Sequence, residues 1–119
     1  MNLTRFDQAP NYVAPNHFDM QCLRLQGHEA GFSQALWMGV SLLAPGGHTS
    51  LEASLLEKHY VVLEGEVTLV SELDGVRKEA ALRRFDSACF APGEKRQLVN
   101  RGREPASILL AMPYPKSPG

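Results

Sequence analysis

Two cysteines, one tryptophan and no long apolar run limit what this chain can be. Cys22 and Cys89 are too few and too isolated for a disulfide framework, and neither has a second Cys or a His at zinc-ligand spacing along the chain. Both fall in apolar, strand-like stretches, so buried free thiols are expected. Charge of either sign is not in excess: 12 Lys and Arg stand against 13 Asp and Glu, spread along the sequence, for a net charge of −1. That balance lacks the electrostatic footprint of a nucleic-acid or membrane-surface protein. No apolar run approaches the roughly 20 residues of a membrane span. The opening "MNLTRFDQAPNYVAP" has no signal-type apolar stretch, so a cytoplasmic protein is expected. Helical periodicity is missing too.

What remains is a succession of short strand signals in 119 residues, enough for one domain. "MQCLRLQ" alternates Cys22, Arg24 and Gln26 against Leu23 and Leu25. "FSQALWMGVSLLA" reads as a long strand over 32–44 that stops at "PGG", with Trp37 and Met38 on opposite faces. "EKHYVVLEG" runs into "EVTLVSEL", and Asp74-Gly75 is the strongest hairpin-turn dipeptide. "VRKEAAL", "SACFA", "QLVN" and "ASILLAM" follow, each bounded by turn residues. Eight or nine strands about ten residues apart predict an all-β sandwich or barrel. "LEASLLEK" has helix-forming residues but no cap, so it is read as strand. An extended N-terminal arm is expected over 1–18, a barrel domain over 19–113 and a loose tail over 114–119.

The order of these signals resembles the cupin superfamily, small single-domain β-barrels of jelly-roll type. Pro45-Gly46-Gly47 opens the first cupin motif and "YVVLEGEV" closes it at Gly65. "FDSACFAPGEKRQLVN" matches the second, with Gly93 in its Pro-x-Gly place and Asn100 at its end. Phe85 stands where that motif usually has its first glycine, and Ala91 precedes Pro92 where proline is more common. The resemblance covers residues 35–112. It implies a double-stranded β-helix and, as is common among small cupins, a homodimer to which the arm could cross.

The same resemblance implies a metal site of three histidines and a glutamate, and here the chain departs. Counting from Gly65, the two first His places hold Glu52 and Ser54, and the Glu place holds Lys58; counting from Gly93 and Asn100, the third His place holds Arg96. Lys and Arg offer protonated donors and repel a divalent ion. No metal or other cofactor is therefore expected, although Glu52 at the first place is a feature shared with the ureidoglycine aminohydrolase subgroup. Strand alternation would turn Glu52, Lys58 and Arg96 into one barrel interior.

Three readings follow. The charges pair as an internal network, because a lone buried charge is costly. Alternatively they form a pocket for a small anionic molecule, with Arg96 as clamp and Glu52 or Lys58 as acid–base group. The third is a non-standard metal site drawing on His48, Glu52, His59 and Gln97. His48, Ser54, Tyr60 and Gln97 are the expected ligand-binding residues around the candidate catalytic Glu52, Lys58 and Arg96. His59, opposite in parity to Lys58, points outward or into a subunit interface, and His17 and His28 receive no role. Metal-independent isomerase or lyase chemistry, a non-catalytic sensor and a metal enzyme with altered ligands are the competing functions.

Overall fold

The computed structural model describes residues 1–115. Its strands are β1 (Asn11–Tyr12), β2 (His17–Gln26), β3 (Leu36–Thr49), β4 (Glu52–Ala53), β5 (Lys58–Glu64), β6 (Val67–Leu73), β7 (Val76–Leu82), β8 (Ser87–Phe90), β9 (Lys95–Val99) and β10 (Ala106–Pro113). Pairing is antiparallel in the order β7-β6-β9-β3-β10-β5-β8, with β2 beside β3 and β4 beside β9. This is the expected jelly-roll barrel, nearly closed.

Alternation builds the interior. Along β10, Ala106, Ile108, Leu110 and Met112 are buried while their neighbours are half-exposed. They meet Leu43, Val62, Val67, Leu69 and Leu98 in the main core. Burying each such side chain contributes about 1.5–3 kcal/mol relative to leaving it in water. Asp74 and Gly75 both have positive φ, the geometry of a type I′ turn, and join β6 to β7. Gly65 is at φ +74, and a Cβ there would lie 2.8 Å from the Pro105 carbonyl oxygen.

Three expectations need correction. The long strand begins at Leu36, not Phe32, and runs through Pro45-Gly46-Gly47 to Thr49. The glycines produce a bulge between the pairings of Phe18 and Met20 of β2 with β3, and a Cβ on Gly47 would lie 2.5 Å from the Asp19 carbonyl oxygen. In "LEASLLEK" Glu52–Ala53 is strand and Lys58 begins β5, but 54–57 are not strand. Ser54 turns the chain, its Oγ accepting from the Leu56 N–H and its carbonyl from the Gly93 N–H. The N-terminal arm lies against the barrel. Ala9 packs with Leu23 and Val40, β1 pairs with β2, and His17 and Phe18 already belong to β2. Finally, Cys22 is buried but Cys89 is exposed, because Ala88 and Phe90 take the inward places of β8 and nothing covers the outer one. Of the expected tail, residues 116–119 lie outside the described residues.

Candidate functional site

A cavity of about 400 Å³ opens at one end of the barrel, within the range of small-molecule sites. The acidic and basic groups on its wall are Glu52, Lys58, Arg96, Arg24 and His17, and Trp37, Leu110 and Met112 supply apolar surface. Tyr12 and residues 13–15 complete the mouth.

Glu52 and Arg96 are direct partners across β4 and β9, and the first residue of β5 is Lys58. The three side chains converge without forming ion pairs with one another. Glu52 Oε1 accepts from Asn16 Nδ2 at 2.7 Å. Arg96 Nη1 donates to the Glu52 backbone oxygen at 3.4 Å, and its Nε is buried with no partner among the described residues. An unpartnered guanidinium N–H is costly where water is excluded, and a ligand acceptor would relieve that cost. Burial, reinforced by the Arg96 charge and opposed by Glu52, lowers the Lys58 ammonium to about 8. Tyr60 is buried in the wall and its phenol is pushed up by that burial, with Arg96 drawing it partly back.

His17 received no role from sequence, yet it lines the cavity. Its Nδ1 lies 2.7 Å from the Pro15 carbonyl, which can only accept, so Nδ1 carries the proton and Nε2 is an acceptor. Burial lowers its pKa; the Pro15 bond and Glu52 work against that shift, and Arg96 and Lys58 with it. The imidazole is therefore neutral near pH 7. Arg24 was also missed. Its guanidinium lies 3.6 Å from the Tyr12 ring centroid and 4.3 Å from that of Trp37, and Nε pairs with Glu29 at 3.3 Å. Stacking on two rings holds the cation at the cavity edge. Its alternation with Leu23 and Leu25 was a usable signal, but that its face of β2 looks into this cavity follows only from the closed barrel.

Ser54 and Tyr60 line the cavity as expected; His48 and Gln97 do not. His48 stacks on Phe18 with ring centroids 5.0 Å apart, because strand parity does not carry across the break between Thr49 and Glu52. Gln97, next to inward-facing Arg96, turns the other way and donates from Nε2 to the Thr49 carbonyl at 2.9 Å. His28 packs against Trp37 and Tyr114. His59 points outward, as the alternation with Lys58 requires.

The donor set does not fit the metal ion that a cupin barrel implies. At the four ligand places stand one carboxylate, one hydroxyl already accepting from Leu56, one ammonium and one guanidinium. Neighbouring His17 adds a single imidazole acceptor. Two fixed cations beside two usable donors oppose a divalent ion.

No family model matches the chain. Beta-D-galactosidase Rv1717 of Mycobacterium tuberculosis is 43% identical over 115 residues, which cover 97% of this chain and 96% of that protein. Among solved structures, the polyketide cyclase RemF of Streptomyces resistomycificus superposes with a TM-score of 0.82 at 18% identity, over 99% of this chain and 82% of that one. A cupin sugar phosphate isomerase of Silicibacter pomeroyi gives a TM-score of 0.75 at 25% identity, over 93% and 74%. A cupin 2 conserved barrel protein of Salinispora arenicola gives 0.72 at 20%, over 96% and 89%. The chain thus belongs to the cupin superfamily, as a single-domain barrel with altered metal-ligand positions, in one family with the mycobacterial protein.

Proposed function

We propose that the protein binds a small carbohydrate in the barrel mouth and hydrolyses a β-galactoside there without using the usual cupin ligand set. The observation that carries this reading is the convergence of Glu52, Lys58 and Arg96 on one cavity with none of them neutralised by another. The 43% identity to a protein named as a beta-D-galactosidase supports the substrate class.

Glycoside hydrolysis needs a proton for the departing oxygen and a group of opposite character at the anomeric carbon. The usual solution is two carboxylates, but Glu52 is the one carboxylate on this cavity wall among the described residues. Lys58, lowered to about 8, is mostly protonated at pH 7 and acidic enough to donate. It is the proton donor, and Glu52 faces the anomeric carbon. Neutral His17 accepts a sugar hydroxyl or a water proton at Nε2. Tyr60 and Arg96 orient the ring by donating to its oxygens.

Release of nitrophenol from p-nitrophenyl β-D-galactoside tests this reading. Lys58→Met and Glu52→Gln should each lower kcat at least about 100-fold, the smaller end of acid–base effects. Wild-type activity should fall as pH rises through about 8, when Lys58 loses its proton. No release above background, with an intact fold by circular dichroism, would overturn it.

A second reading has its own observation. Arg24, Lys58 and Arg96 outnumber Glu52 on the cavity wall, a balance that favours an anionic sugar. Galacturonate raising Tm where galactose does not, without turnover of either, would favour a binding module for sugar acids.

A further inference from the structure

On the outer face of the barrel, away from the cavity, β5 and β8 bring together three side chains with metal-type donors. His59 and Cys89 are direct cross-strand partners, and Glu57 lies just before β5. His59 Nε2 lies 2.6 Å from Glu57 Oε1 and 3.8 Å from Cys89 Sγ. All three donor atoms lie within 4.8 Å of one another, on exposed residues.

The geometry distinguishes two uses of such a trio. In a nucleophilic cysteine site, the thiol meets one ring nitrogen and the carboxylate orients the other. Here both meet Nε2, so the carboxylate occupies the position from which the imidazole would take the thiol proton. That rules against a proton relay. A metal ion instead requires donors that converge on one point. In tetrahedral zinc, bonds of about 2.3 Å to sulfur and about 2.0 Å to nitrogen set these two atoms about 3.6 Å apart. The 3.8 Å between Cys89 Sγ and His59 Nε2 is close to that edge.

We propose that Glu57, His59 and Cys89 form a surface site for a zinc-class transition-metal ion, with the fourth position open to water or an external ligand. Imidazole, thiolate and carboxylate together suit a borderline ion and not calcium or magnesium. The Glu57–His59 contact must open as the ion enters, and both side chains are 52% exposed and free to rotate. Slight burial and the carboxylates of Glu57 and Glu94 raise the Cys89 thiol above its ordinary range. Binding releases the thiol proton to solvent as the sulfur–metal bond forms. Glu94 is not a fourth ligand, since it already accepts from the Ser71 hydroxyl and the Ala91 N–H.

Titration of the reduced, full-length protein with cobalt(II), followed by zinc, tests the site. One equivalent of cobalt should give the visible bands of a tetrahedral centre and a thiolate-to-cobalt charge-transfer band, both bleached by zinc. One proton should be released per ion. Cys89→Ser should remove the charge-transfer band, and His59→Ala should weaken binding by at least about 10-fold. Cys22 is buried against Ser41 and cannot supply the thiolate signal. Glu52→Gln should leave cobalt binding unchanged, because Glu52 belongs to the cavity. Substoichiometric binding, a spectrum without the thiolate band, or binding unaffected by Cys89→Ser but lost in Glu52→Gln would each overturn the proposal. The mutated positions are exposed, so unchanged circular dichroism is expected to accompany every variant.

Discussion

Lys58 and His17 each tie the stability of the fold to pH through the cavity. Between about pH 8 and 10.5, the unfolded chain holds the Lys58 proton and the folded chain does not, so stability rises with pH over that window. Lys58→Met should flatten this rise and lift Tm by a few degrees at pH 7, measured by thermal melts across the range. His17 has a folded pKa below 6.5. As pH falls through 6.5 the unfolded chain takes up the proton first, so stability drops; His17→Gln should remove that part of the acid loss. Asn100 is 1% exposed and bonds at 2.8–3.1 Å to the Leu43 and Glu104 carbonyls and the Gly102 N–H. Asn100→Ala leaves those groups unpaired and should cost about 2–4 kcal/mol in denaturant unfolding. Its place at the end of the second motif was legible in the sequence; its three-way bonding to the β9–β10 connection and β3 was not.

Among the elements, the turn before β8 keeps a glycine-type conformation without a glycine. Phe85 is at φ +70 and 70% exposed, with the Arg84 guanidinium 4.7 Å from its ring centroid. The turn holds because the Phe85 N–H donates to the Val62 carbonyl at 2.7 Å and Asp86 Oδ2 accepts from the Arg83 N–H. A left-handed side-chain residue costs about 1–2 kcal/mol. Phe85→Gly should recover roughly half of that, the rest being offset by glycine's greater unfolded entropy, and should appear as a small rise in Tm. The strands themselves were readable from alternation and turn dipeptides, as β6, β7 and β10 show. "PGG" and "LEASLLEK" were not, for opposite reasons. The glycines permit either a stop or a bulge, and only pairing with β2 selects the bulge. Ser54 draws the Leu56 N–H out of any ladder, and no local pattern announces it.

For the molecule as a whole, residues 1–16 are part of the fold and of the site. Asn2 donates to Gln26 Oε1 and the Ala30 carbonyl, Ala9 fills the outer cluster, and residues 12–15 form one side of the cavity mouth. Deletion of residues 1–9 should lower Tm by several degrees through exposure of Leu23 and Val40. Deletion through residue 15 should also abolish any sugar-induced thermal shift, because it removes a wall that Glu52 and Arg96 face.

Local chemistry was enough to specify the barrel, its Asp74-Gly75 hairpin and the four altered ligand places, since alternation, glycine spacing and side-chain charge are all properties of short stretches. It was enough, too, to turn Lys58 inward and His59 outward. Which charges would neutralise one another was beyond it, because that depends on distances between β4, β5 and β9, and closure leaves Arg96 Nε without a partner. His17 and Arg24 joined the cavity for the same reason: β2 contributes its inner face only once β1 and β3 flank it. Cys89 had no histidine near it in sequence, yet β5–β8 pairing places His59 directly opposite across 30 residues.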